Sequence, residues 1–140
     1  MSVAALESSR ACLRIFGDDL VPDEISALLG SAPTKSETRG EVLRSANGRE
    51  RVAKSGGWRL EATDTAPEDT DAQVRQLLST LSPDLGVWRG ISARYEVDLF
   101  CGWFMTGSND GASLAPETLL ALGERGIALS LDIYASTPDE

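Results

Sequence analysis

Leu20-Val21-Pro22-Asp23-Glu24-Ile25 and Leu114-Ala115-Pro116-Glu117-Thr118-Leu119 spell one phrase twice, Leu-x-Pro-acid-x-aliphatic. Proline in a first helical turn gives up no hydrogen bond, and an acid beside it meets the positive end of the helix dipole. Each copy therefore opens a helix, and each follows an alternating run. Ahead of the first, Ala11, Leu13 and Ile15 alternate with Cys12, Arg14 and Phe16. Ahead of the second, Val97, Leu99, Cys101 and Trp103 alternate with Glu96, Asp98 and Phe100. Two more runs set Trp58, Leu60 and Ala62 against Arg59 and Glu61, and Ile127, Leu129, Leu131 and Ile133 against Ser130, Asp132 and Tyr134. A period of two with one apolar and one mixed face marks strands of a sheet covered on one side. Two strand–helix–strand halves predict an α+β two-layer sandwich, a ferredoxin-like βαβ pseudo-repeat with about four strands and three helices. Proline and an acid are also common at helix starts, so the same repeat reads as coincidence.

The helices are expected from Pro22 to Gly30, from Thr70 to Leu81 and from Pro116 to Gly123. The middle one is the extra element. Thr70 is expected to cap it, with Gln73 completing a capping box and Val74, Leu77, Leu78 and Leu81 forming its apolar stripe. Of the 140 residues, 10–134 read as one domain between a flexible N-terminus, 1–9, and a flexible acidic tail, 135–140. Residues 31–56 read as a mobile basic loop, with Asn47-Gly48 as the turn of a weak hairpin.

Thirteen basic against twenty-two acidic side chains give a net charge of −9, and there is no histidine. The charge is uneven: nine basic and eight acidic residues through residue 60, then four basic and fourteen acidic. Such a balance opposes phosphate backbones and anionic lipid, so neither nucleic acid nor membrane is expected as the main partner. The basic stretch 31–59, seven basic against three acidic, could touch phosphate only locally. No apolar run reaches the roughly 18–20 residues of a bilayer span, and the first residues lack a signal peptide's basic start, which predicts a cytoplasmic protein. Without histidine there is no Ser-His-Asp or Cys-His chemistry and no histidine-held metal. Cys12 and Cys101 fall on opposite faces of their strands and are expected as free thiols; no cofactor is expected.

The stretch Leu13-Arg14-Ile15-Phe16-Gly17, Pro22-Asp23-Glu24-Ile25, Leu28-Leu29-Gly30, Gly57-Trp58, Asp98-Leu99-Phe100-Cys101-Gly102-Trp103-Phe104 and Leu129-Ser130-Leu131-Asp132-Ile133-Tyr134 resembles domain-of-unknown-function family 4279. The resemblance runs from about Ala11 to Tyr134. It departs at Val21 and Ala115, where a polar helix cap would be usual. It implies a small soluble bacterial protein and brings no catalytic residues.

Two constellations could carry chemistry. In a ferredoxin-like order, Arg14 would lie between Asp98 and Asp132, with Tyr134, Phe16 and Phe100 on the same face. That reads as a polar site in which an aspartate serves as general base and Arg14 binds an anion. It also reads as a solvated cross-strand charge ladder, worth roughly 0.2–1 kcal/mol per pair. The second is a pair of strand-end loops holding Asp18, Asp19, Asn109 and Asp110, where ligands tend to bind beside helix starts. Their spacing matches no cation motif, and no metal site is expected.

The chain is expected to be a non-enzymatic protein-interaction module, in its most concrete form an immunity protein whose acidic latter part binds a basic partner. A homodimer is compatible with that. The alternative is a small-ligand-binding regulatory domain using the strand-end loops, and a third reading is a carboxylate-based enzyme using Asp98 and Asp132.

Overall fold

A computed structural model describes residues 4–136. It begins with a short strand β1 (Ala4–Ala5), then β2 (Ser8–Gly17), helix α1 (Pro22–Leu29) and strand β3 (Lys35–Glu37). A hairpin of β4 (Val42–Arg44) and β5 (Glu50–Val52) leads to β6 (Gly56–Glu61). Helices α2 (Thr70–Ser79) and α3 (Leu85–Arg94) come next, then β7 (Glu96–Phe104), β8 (Asp110–Gly111), α4 (Pro116–Glu124) and β9 (Ala128–Tyr134). Five strands form one mixed sheet in the order β3-β6-β2-β7-β9, while β1 pairs with β8 and β4 with β5 in two small sheets. Among the described residues no helix is long and apolar enough to cross a membrane.

This corrects the expected ferredoxin-like sandwich of four strands and three helices. β2 lies between β6 and β7, antiparallel to both, and β9 runs parallel to β7 at the edge. The first strand–helix–strand unit therefore closes not at Trp58 but at β3, which is antiparallel to β6 and so parallel to β2. β6 inserts between them. Trp58 shows why: its side chain is fully buried and its Nε1 donates to Ser26 Oγ on α1 at 3.0 Å, which seats α1 over β6. The basic stretch thus holds three strands, with the hairpin turning at Asn47-Gly48, where Gly48 takes a φ of 83° that a side chain would strain.

The apolar residues of the strands behave as their alternation requires. Leu13, Ile15, Trp58, Leu99 and Cys101 face the helices and are buried with Ile25, Leu29, Val74, Leu77, Trp88, Ile91 and Leu122. Helix α3 is the element that alternation missed, since Gly86 and Gly90 interrupt it and only Trp88 and Ile91 are buried, with Val87 partly so. Its N-cap is Asp84, whose Oδ1 accepts from Gly86 N at 2.8 Å. In α2 the cap is Asp69, not Thr70, with Oδ1 accepting from Ala72 N at 3.1 Å. Thr70 and Gln73 are used inward instead. Thr70 Oγ1 accepts from Trp103 Nε1 at 3.0 Å, and Gln73 Nε2 donates to the carbonyls of Ser9 and Thr63 at 2.8 and 3.0 Å. A buried amide must be satisfied in this way, and here it ties α2 to β2.

The expected boundary at residue 10 falls inside β2, and Leu6 is already buried. Residues 1–3 and 137–140, parts of the expected flexible ends, lie outside the described residues.

Candidate functional site

All four helices carry buried residues into one core against one face of the five-stranded sheet, and the other face bears the polar and aromatic half of each strand. The strand register turns that face into a grid. One row reads Lys35, Arg59, Arg14, Asp98, Ala128 across the five strands. The next reads Glu61, Cys12, Phe100, Ser130, and beyond it come Arg10, Gly102, Asp132 and then Ser8, Phe104, Tyr134.

Arg14 is the fixed point. Its Nε and Nη2 donate to the two carboxylate oxygens of Asp98 at 2.8 and 2.6 Å, a fork-to-fork pair. The guanidinium also lies over the rings of Phe100, at 4.3 Å, and Phe16, at 5.0 Å. Ser130 Oγ donates to Asp98 Oδ2 at 3.0 Å. The hydrogen bond to Asp98 pushes the Arg14 pKa up, so the charge is held in place. Arg59 also lies over Phe16 at 5.3 Å and reaches Glu37 at 3.6 Å, while Arg51 of the hairpin meets the same carboxylate at 3.3 Å.

Toward the far end, Phe104 and Tyr134 stack with centroids 4.7 Å apart and planes within 5°. Gly102 lies beside them, and a Cβ there would touch both rings at about 3.5 Å. Arg10 sits over Phe104 at 5.5 Å and pairs with Asp64 at 3.3 Å. Between these groups runs a groove of about 290 Å³, lined among others by Arg10, Cys12, Phe100, Phe104 and Tyr134. Cys12 is half-buried in it, and desolvation raises its thiol pKa to about 11, which leaves it protonated and a poor nucleophile at neutral pH. Cys101 lies in the core on the opposite face, and burial pushes its pKa up to about 12.

The structure joins Arg14 to Asp98 but not to Asp132, because β9 is not a neighbour of β2. Asp132 pairs in register with Gly102 and accepts from Tyr134 Oη at 2.7 Å, a bond that raises the tyrosine pKa. Asp98 and Asp132 are separated by four residues along the sheet, roughly 13 Å, so they share no cleft. Asp98 is moreover committed to Arg14 and Ser130. The face offers guanidinium and aromatic surfaces, and its two aspartates are held apart, Asp98 by Arg14 and Asp132 by Tyr134.

The strand-end loops are not brought together either. β2 and β7 are antiparallel, with Ser8 opposite Phe104 and Phe16 opposite Glu96. Asp18 and Asp19 therefore lie at one end of the sheet, and Asn109 and Asp110 roughly 26 Å away at the other. Asp18 borders an open cleft with Gly17, Ser55 and Tyr95, and contacts Arg39 at 3.8 Å. Asp110 is used by its own turn: Oδ2 accepts from Gly107 N at 3.1 Å and Thr106 N at 2.8 Å, and these bonds lower its pKa. Among the described residues no three Cys, Asp or Glu side chains gather into a group that could hold a metal ion.

Sequence reasoning missed Arg10, Arg59, Glu37 and Phe104. The first two and Phe104 carry a readable signal, since each continues the alternation of its strand on the Arg14 side. Glu37 sits in a three-residue strand with no apolar partner to mark it.

One family model matches residues 7–136, Domain of unknown function (DUF4279). No curated protein and no solved structure matches the chain.

Proposed function

The chain belongs to the DUF4279 family, and from that premise we propose that it is a non-enzymatic protein-interaction module that recognises its partner with the helix-free sheet face. The carrying observation is the guanidinium of Arg14 held between Phe16, Phe100 and Asp98, with the stacked Phe104 and Tyr134 on the same face. Arginine and aromatic side chains supply most interface hot spots, and those already fixed before binding lose little entropy when a partner arrives.

The charge distribution supports a basic partner. Within 31–59, Arg44 pairs with Glu50, and Arg51 and Arg59 with Glu37, so three of the seven basic residues face a carboxylate of the same stretch. The acidic excess after residue 60 meets only the pairs Arg10–Asp64, Arg14–Asp98 and Arg125–Glu124 among the described residues. The rest is left to steer a cationic protein inward. An immunity-type role against a basic toxin is the specific form of this reading. Tagged protein in extract of its native host at low salt is expected to retain a basic partner in one-to-one ratio; recovering no stoichiometric partner overturns the proposal.

A second reading, a small-ligand domain, is favoured by the groove between Arg10, Phe100 and Tyr134. A planar anion would find ring and guanidinium surfaces there. Saturable shifts of the Phe104 and Tyr134 ring resonances with such a compound, in the absence of protein partner, would support it.

A further inference from the structure

The two edges of the five-stranded sheet are built differently. β3 is three residues long, carries Lys35 and Glu37, and comes just after Pro33. These are the usual means by which an exposed edge avoids pairing with another chain. β9 has seven residues, Ala-Leu-Ser-Leu-Asp-Ile-Tyr, with no proline, no lysine and one charge. Among the described residues no strand pairs with its outer side. Leu131, Ile133 and Tyr134 are 42%, 54% and 46% exposed there.

We propose that the outer edge of β9 pairs antiparallel with the same edge of a second copy of this chain, centred on Leu131. The choice of occupant rests on self-complementarity. Among pairings that keep both helix layers on one side, centring on Leu131 uses all seven residues. It sets Leu131 against Leu131 and Leu129 against Ile133 on the helix side. On the other side it sets Asp132 against Ser130, whose hydroxyl is turned to Asp98, and Ala128 against Tyr134, so that no two like charges meet. Centring one residue later would put Asp132 against Asp132, which like-charge repulsion disfavours. A two-fold contact of this kind closes on itself and leaves no further edge of the same type. The pair would form one ten-stranded sheet with both Arg14 faces on the same side, and it does not depend on what those faces bind.

A seven-residue edge is a small interface, at the weak end below about 1,200 Å². The test is therefore sedimentation over a concentration series spanning on the order of 1 µM to 1 mM. The 14.9 kDa chain is expected to move to twice that mass as concentration rises. Leu131→Lys is expected to remain monomeric with an unchanged circular dichroism spectrum, whereas Ser36→Lys on the other edge is expected to dimerise as the parent does. In a Cys12→Ser background, Leu131→Cys is expected to oxidise to a covalent dimer and Ile133→Cys is not, since the Ile133 positions would lie roughly 13 Å apart. A parent monomeric at every concentration overturns the proposal, as does a Leu131→Lys variant that still dimerises. Cross-linking through Ile133 in preference to Leu131 overturns the register.

Discussion

The units β2-α1-β3 and β7-α4-β9 open on the same sequence phrase and end at opposite edges of one sheet, yet they close differently. In the second, β9 returns directly beside β7, parallel to it, over seven registered pairs. In the first, the return strand is three residues long and β6 occupies the place beside β2. The difference lies in the residues that come after each helix. Beyond α4, Ile127 is buried and Leu129 packs against the core, which anchors β9 beside β7 while Leu131 and Ile133 stay exposed. Beyond α1 comes Lys-Ser-Glu, which buries almost nothing, so the neighbouring place is taken by Trp58 and Leu60. A local phrase sets where a strand–helix–strand unit begins; burial decides which strand completes it.

Removing the inserted tryptophan breaks this contrast most severely. Trp58→Ala should cost about 3–5 kcal/mol in urea unfolding, because it empties the space under α1 and strands Ser26 Oγ. Leu122→Ala on α4 should cost about 2–5 kcal/mol, with no inserted strand to lose. A Trp58→Ala cost below about 1 kcal/mol, far under that range, would show that β6 is not held by α1.

The glycine after each helix sharpens the comparison. Gly30 and Gly126 have φ of 78° and 72°, but a Cβ at Gly30 meets nothing within 4 Å while one at Gly126 would stand 2.8 Å from Ser92 Oγ. Gly30→Ala should therefore cost about 1–2 kcal/mol for the left-handed backbone alone. Gly126→Ala should cost more, and equal melting temperatures for the two variants would contradict that order.

The helix starts differ by less. Neither Val21 nor Ala115 makes a side-chain cap, but the Asp71 carboxylate accepts from Ala115 N at 3.1 Å. Asp71→Ala should lower stability by about 1 kcal/mol, and Val21→Asp should raise it by about 0.5–2 kcal/mol, both read from melting curves.

A pH dependence confined to the alkaline range is shared by the two thiols, one in each unit. Their ordinary value of 9.0 rises to about 11 for Cys12 and about 12 for Cys101 in the fold. Below pH 9 both states keep the proton. Above it the unfolded chain loses the proton first, so stability should fall as pH rises from 9 toward 11 and 12. Cys12→Ser should flatten the first part of that fall.

The long alternating strands are legible because each sets an apolar face against a mixed one, and α1 because Pro22 and Gly30 bracket it; α4 starts at Pro116 as expected but runs past Gly123 to Glu124. The Cys12 and Cys101 faces came from the same alternation. The elements that escaped have a weak apolar signature: β3 is all polar, and α3 buries only Trp88, between its two glycines, and Ile91, just after them. The site was half legible for a related reason. Facing direction is local, so Arg14, Asp98, Phe100 and Tyr134 could be placed on one side. Neighbourhood is a property of strand order: β6 and β7 flank β2, so Asp132 on β9 lies two strands from Arg14 and not beside it.

The central claim is that recognition runs through the sheet face and not through the helices. Arg10 and Tyr134 are exposed on that face, and Leu120 is exposed on α4. With the captured partner, affinity titrations of Arg10→Ala/Tyr134→Ala and of Leu120→Ala test the claim most directly. The double variant should bind at least about tenfold more weakly, about 1.4 kcal/mol, with its fold intact, and Leu120→Ala should bind like the parent. Unchanged binding by the double variant together with loss in Leu120→Ala would contradict it.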